Sequence, residues 1–422
     1  AILDFDFGEF RLRLPEEVPF ELDASTNPVP EAPEDVGSDF KVGSLNVLNY
    51  FTTLDGQTDN GNNPRGADDQ EELDRQTDKL VQTIVGMDAD VIGLVEIEND
   101  FEGDEFALKT LVDEINASVG PNIWGFVDPG TACVGDDAIA VAFIYDTTTV
   151  NLVGDAAILD TDAFLDPLGT ETGGDGFNRA ALAQTFEEVA TGGQFTASVN
   201  HFKSKGSLTG ATEDEEQGDG AGNNNATRTE AARELAEWLA TDPTASGDEE
   251  VLLLGDLNAY ARVTHITTMN GAGYTDLAAN FEGEDVYSYR FSGQIGTLDY
   301  ALANEALFEQ VTGATTWNIN SDTPVFYDYN TDATFTGPNT FRPTDQGLFD
   351  KDSPLRGSDH DPVIVGLKLD DDRVVEDIVI AGDSGNDRLN GTDADEIIIG
   401  GGGRLYVVSG VGVIDTFVFT DL

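Results

Sequence analysis

Between about residues 39 and 369 the chain alternates two hydrophobic patterns. Apolar runs such as Lys41-Val-Gly-Ser-Leu-Asn-Val-Leu48, Asp90-Val-Ile-Gly-Leu-Val-Glu96 and Val251-Leu-Leu-Leu254 read as strands. Further strand-like runs occupy 138–145, 181–187, 195–199, 297–302 and 363–369. Stretches from Gln70 to Met87, Glu105 to Ala117 and Ala226 to Leu239 carry helical patterns instead, the first clearly amphipathic. Many strands and several helices in one continuous stretch predict a single layered α/β domain. The long Gly/Asn/Asp-rich stretches at 206–225 and 318–353 predict functional surface loops or mobile segments.

The ends differ from this middle. Residues 1–38 open with a strand-like string, Ile2 to Leu14, and continue into a Pro-rich linker over 27–34, a pattern expected for the remnant of a preceding module. Residues 370–422 contain three consecutive nonads that begin at Gly382, Gly391 and Gly400, each with an aliphatic residue at its eighth place. Nine-residue Gly/Asp repeats of this kind build calcium β-rolls. Only the first nonad has Asp at its sixth place, Asp387; the others have Glu396 and Leu405. A short β-roll-like tail is expected, with Ca²⁺ held near Asp387, Asp393 and Asp395. The competing reading is a flexible Gly/Asp tail.

Charge changes the picture most. The 422 residues include 81 Asp+Glu and 21 Lys+Arg, for a formal charge of -60. Such self-repulsion destabilises a compact state unless salt screens it, and at 1 M salt the Debye length falls to about 3 Å. The surface therefore reads as that of a halophilic or marine protein. Disorder is the alternative for so charged a chain, but 24 Phe, 10 Tyr and the strand-like runs oppose it. One cysteine, Cys133, excludes an intramolecular disulfide, and no apolar run approaches the length of a membrane span. Starting at Ala1, the chain reads as a mature product or an excised fragment.

Candidate chemistry gathers where apolar runs end. The chain has three His. His201 follows Phe195-Thr-Ala-Ser-Val-Asn200, with Lys203 and Lys205 just beyond. His360 lies between Asp359 and Asp361 before the run from Val363. A His flanked by carboxylates suits general acid-base work or metal binding, although each could equally cap a turn. Asn46, Glu96, Asp256 with Asn258, and Asp299 likewise end or interrupt apolar strands. Strand ends of one layered sheet converge on a rim, and clustered carboxylate and amide oxygens favour Mg²⁺ or Mn²⁺. The third, His265, belongs to no motif and reads as structural.

The ordered strings LNVLNYF, GLVEIE, NHFKSKG, GDLNA, TLDYAL and GSDHDP resemble the endonuclease/exonuclease/phosphatase superfamily, and among its members the secreted deoxyribonucleases of marine bacteria. The closing nonads resemble the tails of type I secretion substrates, and residues 2–14 the end of an OB-like module. The resemblance implies a four-layer α/β sandwich over 39–369, two packed mixed β-sheets flanked by helices. It implies a divalent metal, Mg²⁺ or Mn²⁺, on Glu96, assisted by Asn46 and Asp359. It makes His360, oriented by Asp299, the base. Asp256 and Asn258 would position the nucleophile and a phosphate oxygen. His201, held by Asp137, would contact the scissile phosphate or protonate the leaving oxygen. Arg179 resembles the phosphate-binding Arg of the family, although Ala180 replaces the usual Pro. Lys203, Lys205 and Arg228, with Arg233 nearby, would form a local cationic groove for DNA. The expected protein is a secreted, salt-adapted deoxyribonuclease, monomeric and without an obligate partner. A lipid or inositol phosphodiesterase, or a non-catalytic calcium-dependent adhesive module, are the rival readings.

Overall fold

The computed structural model describes residues 30–54, 64–103, 105–170, 177–291, 293–324, 327–330 and 353–369, and the backbone of seven further strands outside them. The chain forms two compact units, residues 1–186 with 195–368, and residues 187–194 with 369–422.

In the first unit, β1 (Ile2–Asp6) and β2 (Glu9–Arg13) pair antiparallel, so the opening string is a hairpin. Two six-stranded mixed sheets follow. One has the order β15 (Val311–Thr316), β16 (Val363–Leu367), β3 (Phe40–Tyr50), β4 (Val91–Glu98), β6 (Ile139–Asp146), β5 (Trp124–Phe126). The other has the order β11 (Thr275–Asp276), β14 (Asp299–Ala303), β10 (Val251–Asp256), β9 (Gln194–His201), β8 (Ala181–Glu188), β7 (Val150–Leu159). The sheets face each other through apolar side chains, as the near-continuous hydrophobic runs require. A Cβ added at Gly93 of β4 would lie 3.1 Å from Val199 of β9. Phe40 meets Phe195 edge-on at 6.1 Å, and Phe143 meets Phe186 at 5.3 Å. Such aromatic pairs contribute about 0.5–1.5 kcal/mol each beyond their burial.

Helices cover both outer faces. The helix α1 (Gln70–Met87) packs on the first sheet, where Met87 fills the space above Gly43 of β3, and α2 (Ala107–Val119) lies beside it. The Asp69 carboxylate accepts the Glu72 N–H at 3.0 Å to start α1, and Asp88 in the left-handed region (φ 50°) stops it. On the second sheet, α3 (Asp162–Leu165), α4 (Asn225–Leu239) and α5 (Thr264–Gly271) enclose Phe164, Phe202, Leu235, Leu253, Ile266 and Leu302. The result is the four-layer α/β sandwich. Residues 30–38 pack on the first sheet: the Thr312 hydroxyl donates to the Val36 carbonyl at 2.7 Å, and the Ser38 hydroxyl to that of Leu367 at 2.6 Å.

The expected 206–225 loop is an ordered structure wrapped on the start of α4. Asn224, although in the N-cap position, sends its amide to the Ser204 and Ser207 carbonyls at 2.9 and 3.0 Å. Asp214 caps α4 in its place, accepting the Thr227 N–H at 2.9 Å and its hydroxyl at 2.6 Å. Of the 318–353 loop, residues 325–326 and 331–352 lie outside the described residues.

In the second unit, alternate strands pair in parallel. The strands β17 (Ile378–Ala381), β19 (Glu396–Gly400) and β21 (Thr416–Phe419) form one sheet, and β18 (Asp387–Asn390) and β20 (Leu405–Val408) another. Ile378 pairs with Glu396 and Asp387 with Leu405, both two nonads apart. Asp387 opens β18, while Asp393 and Asp395 lie outside the described residues.

Candidate active site

Register assembles the centre. On β10, Asp256 pairs with His201 of β9 on one side and Asp299 of β14 on the other. Partners at one level of a sheet project to the same face. Three motifs far apart in sequence thus meet in one row. The opposing sheet supplies Glu96. On β4, Val95 pairs with Asn46 and Ile97 with Tyr50, which leaves Glu96 on a bulge at φ 70°. A left-handed non-glycine residue costs free energy, and such conformations cluster at functional sites. Glu96 accepts the Asn46 side-chain amide at 3.1 Å and the Asn49 N–H at 3.0 Å. Leu48 and Asn49 are themselves left-handed (φ 54° and 48°), and Gln76 of α1 donates to the Leu48 carbonyl at 2.8 Å to hold that turn.

His360 enters from the turn before β16. Its Nδ1 is 2.7 Å from Asp299 Oδ2, which also accepts the Ser288 hydroxyl at 2.7 Å. Its Nε2 faces Asp256 at 3.9 Å and Asp359 at 4.0 Å. The Tyr289 ring covers it, centroid to centroid 4.5 Å. His201 turns Nε2 toward Asp256 at 3.7 Å and Glu96 at 3.9 Å, and its Nδ1 is buried without a partner. Asn258 meets Asp256 through a turn, not along an extended segment: it is left-handed (φ 53°), its N–H donates to Asp256 Oδ1 at 2.8 Å, and its amide to Oδ2 at 3.1 Å.

The two imidazoles have opposite tendencies. Burial alone would lower His360, but the carboxylates of Asp299, Asp359 and Asp256 outweigh it and raise its pKa well above the ordinary value. His201 is pushed well below, by burial and then by the charges of Arg179, His360 and Lys203. Burial raises Glu96, and Asp359 raises it further. Asp256 is raised to about 7, by burial with Asp299 and Glu96 adding to it against the opposing pull of His360.

Other predicted residues are placed differently. The carboxylate of Asp137 is engaged by Arg179 at 2.9 Å and Arg65 at 2.8 Å, not by His201. Arg179 remains beside the site, with its N–H on the His201 carbonyl at 3.3 Å. Arg228 is a correction to the DNA groove. It is fully buried and donates to the carbonyls of Lys203 at 2.9 Å and Ala221 at 3.2 Å, so it has no surface to offer a ligand. Arg233 is exposed but bracketed by Glu230, Glu234 and Glu237. Lys203 stands beside Ser204, and Lys205 places its ammonium 3.5 Å above the Tyr260 ring. His265 is buried, 3.1 Å from the Leu257 carbonyl, in a structural position.

Sequence reasoning missed Ser288, Tyr289 and the part played by Asp361. Asp361 is buried and gathers the 318–321 turn by accepting from Asn320 N at 2.7 Å, Asn318 Nδ2 at 2.9 Å and the Ser321 hydroxyl. It lies in the same string as His360 and could have been read there; nothing local marks Ser288.

Residues 43–360 match the Endonuclease/Exonuclease/phosphatase family. The chain belongs to that family. Its members are phosphoesterases, nucleases and phosphatases among them, and commonly use divalent metals. No curated protein matches the chain at a significant level. Solved structures similar to this family member include an endonuclease/exonuclease/phosphatase from Bacteroides vulgatus, 14% identical over 78% of this chain and 99% of that one, with a TM-score of 0.45. The catalytic domain of human Nocturnin is 16% identical over 78% and 94%, with a TM-score of 0.45. The mannosyl-6-phosphatase of Bacteroides thetaiotaomicron is 13% identical over 78% and 100%, with a TM-score of 0.45. Among the described residues no helix is long and apolar enough to cross a membrane.

The donor set fits a divalent cation. Asp256, Asp299 and His360 are all buried and bring ligand atoms within 4.8 Å of one another. Glu96, whose carboxyl Asp359 raises by like charge, joins this centre through His201, whose Nε2 lies 3.9 Å from Glu96 and 3.7 Å from Asp256. Buried carboxylates crowded this way are stabilised by a cation, and oxygen donors suit a hard one.

Proposed function

We propose that the protein is a secreted, salt-adapted, metal-dependent nuclease that hydrolyses phosphodiester bonds of extracellular DNA, cutting within the strand. The observation that carries this reading is the row His201–Asp256–Asp299 facing Glu96, with His360 held by Asp299 at 2.7 Å. Phosphodiester hydrolysis needs an activated water, stabilised equatorial oxygens and a proton for the leaving oxygen. Asp299 fixes the His360 ring so that Nε2 points into the acidic centre. The carboxylates around it favour the protonated ring, and with their charge neutralised by a divalent cation Nε2 is free to take a proton from water. His201, held neutral, keeps one N–H to donate; this supports phosphate contact over leaving-group protonation. Asp256 and Asn258 position water and phosphate. A divalent metal, Mg²⁺ or Mn²⁺, on Glu96, Asp359 and Asn46 would supply Lewis-acid stabilisation of the phosphate. The charge of -60 supports a salt-adapted setting. The Gly-led nonads, with Asp387 at the sixth place of the first, support Ca²⁺ binding in the tail.

The test is plasmid hydrolysis across NaCl, Mg²⁺, Mn²⁺ and Ca²⁺ concentrations, with EDTA as control and vesicle phospholipid as the rival substrate. Activity that depends on metal and rises with salt is expected, and Glu96→Ala and His360→Ala should each lose about 10²-fold or more without unfolding. Full activity in either variant, or hydrolysis of lipid and not DNA, would overturn the assignment. Monotonic loss from low salt upward would overturn the salt-adapted part.

A further inference from the structure

A nuclease usually holds its substrate by phosphate contacts, and this chain has few cations to make them. Near the site, Arg65 and Arg179 share Asp137, Arg228 is buried, and Arg233 lies among three glutamates. Arg290 and Arg356 are paired with Asp322 and Asp328. Lys203 and Lys205 remain, and burial lowers each to about 8, with Arg228 adding to it in both. At high salt even these contacts weaken. Binding energy must come from groups that salt does not screen.

A small hairpin beside His360 offers them. The strands β12 (Tyr289–Phe291) and β13 (Gln294–Gly296) pair Tyr289 with Gly296. Residues two apart on a strand share a face, so Tyr289 and Phe291 point the same way, Tyr289 over the His360 ring and Phe291 one step outward. Gly296, opposite Tyr289, leaves room on that face for Tyr260: a Cβ there would lie 2.5 Å from Tyr260 Cδ1. Lys205 sits on Tyr260 at 3.5 Å. Phe291 is 63% exposed. The face therefore carries aromatic rings outward from the catalytic imidazole, with an ammonium beside them.

We propose that Phe291, on the face that Tyr289 and Tyr260 continue inward to His360, is the stacking platform for an unpaired nucleobase next to the scissile phosphate, which makes single-stranded or locally unpaired nucleic acid the preferred substrate. This rests on the phosphodiesterase reading above. Stacked bases in duplex DNA keep their faces covered, whereas an unpaired base can lie on an aromatic ring, and Lys205 is placed to meet its phosphate. Phe291, at the open end of the face, is the test position, because an exposed ring can be removed with little effect on folding.

The experiment compares a dT oligomer with an abasic tetrahydrofuran oligomer of equal length and charge, and with a DNA hairpin, by steady-state hydrolysis and by fluorescence anisotropy in EDTA. The wild type should show a KM and Kd lower for dT than for the abasic oligomer by about 5- to 150-fold, the range for one stacked base. That ratio should persist from 0.1 to 2 M NaCl. Phe291→Ala should bring it to within about twofold and Phe291→Trp should keep it. Equal treatment of both oligomers by the wild type, or an equal change in both for Phe291→Ala, would overturn the platform. So would loss of co-sedimentation with phosphatidylcholine vesicles in Phe291→Ala while oligomer discrimination is kept, which would assign the tip to a lipid surface. If no oligomer is cleaved, the phosphodiesterase reading fails while anisotropy still decides the platform.

Discussion

Ser288→Ala isolates the positioning of His360 from direct contact with substrate. Ser288 is fully buried, and its hydroxyl donates to Asp299 Oδ2 at 2.7 Å while accepting the N–H groups of Leu298 and Asp299 at 3.1 Å each. Its backbone carbonyl holds the Asp361 N–H at 2.8 Å, a bond that alanine keeps. Loss of a hydrogen bond to a carboxylate costs about 1.5–3 kcal/mol, and a buried donor left unsatisfied costs about 1–3 kcal/mol. Two donors share one acceptor and local relaxation recovers part of the loss, so a destabilisation of about 3 kcal/mol is expected, read by urea unfolding. The freed Asp299 carboxylate no longer fixes the ring. By analogy with supports of metal-bound histidines, kcat should fall about 10- to 100-fold, while KM stays unchanged because Ser288 touches no substrate. Ser288→Cys, which keeps the volume and a weak donor, should lie between. A kcat within twofold of wild type, measured well below the unfolding midpoint, would show that Ser288 holds a strand and not the imidazole. A change in KM alone would likewise refute the reasoning.

Asp214→Ala removes the outside cap of α4 together with the Thr209 hydroxyl bond at 2.5 Å, and should cost about 3 kcal/mol in urea unfolding. Because the same network secures the loop bearing Lys205, KM for DNA should rise as well. Lys203 and Lys205, lowered to about 8 by burial and nearby arginines, are charged at pH 7 and lose that charge as pH rises through 8. KM for DNA should therefore rise between pH 7 and 9, and the double variant Lys203→Arg with Lys205→Arg should flatten the profile. Gly255 has φ 120°, and a Cβ there would lie 2.1 Å from the Asn200 carbonyl oxygen, so Gly255→Ala should destabilise by about 3 kcal/mol or more, measured by the same unfolding assay.

Local pattern and local chemistry were legible; partnership was not. Helix α1 spans Gln70–Met87 as its periodicity predicts, because an acidic cap, an apolar stripe and a left-handed stop all lie within it. Strand β7 was missed because it is a sheet edge with only Val150 and Leu159 buried, and Asn151, Gly154 and Asp155 interrupt its apolar positions. The site residues show themselves by standing at the ends of apolar strands. Which of them meet depends on strand order: His201 reaches Asp256 only because β9 pairs parallel to β10. Asp137 illustrates the limit, since an acid that the resemblance assigns to His201 proves to belong to two arginines from other strings. Arg228 illustrates another. On a helix, an arginine every few residues reads as solvated, and only the wrapped loop above it makes the interior polar enough to hold one.

The buried arginine and lysine suggest how so acidic a chain tolerates its charge. Of 21 cations, several are donors inside the fold: Arg228 to two loop carbonyls, Lys79 to the carbonyls of Ser353 and Leu355 at 3.3 and 2.9 Å, Arg75 to that of Tyr329 at 3.1 Å. Each satisfies backbone oxygens where water has no access, and salt scarcely screens charges at such depth. The carboxylates left outside repel one another through solvent, where salt acts fully. Salt should then raise the unfolding midpoint strongly while leaving the internal geometry alone. The ratio of kcat between Ser288→Ala and wild type should accordingly stay constant from 0.5 to 3 M NaCl, even as both proteins gain stability. A ratio that drifts with salt would mean that the surface charge reaches into the catalytic row, and that shell and site are not separable.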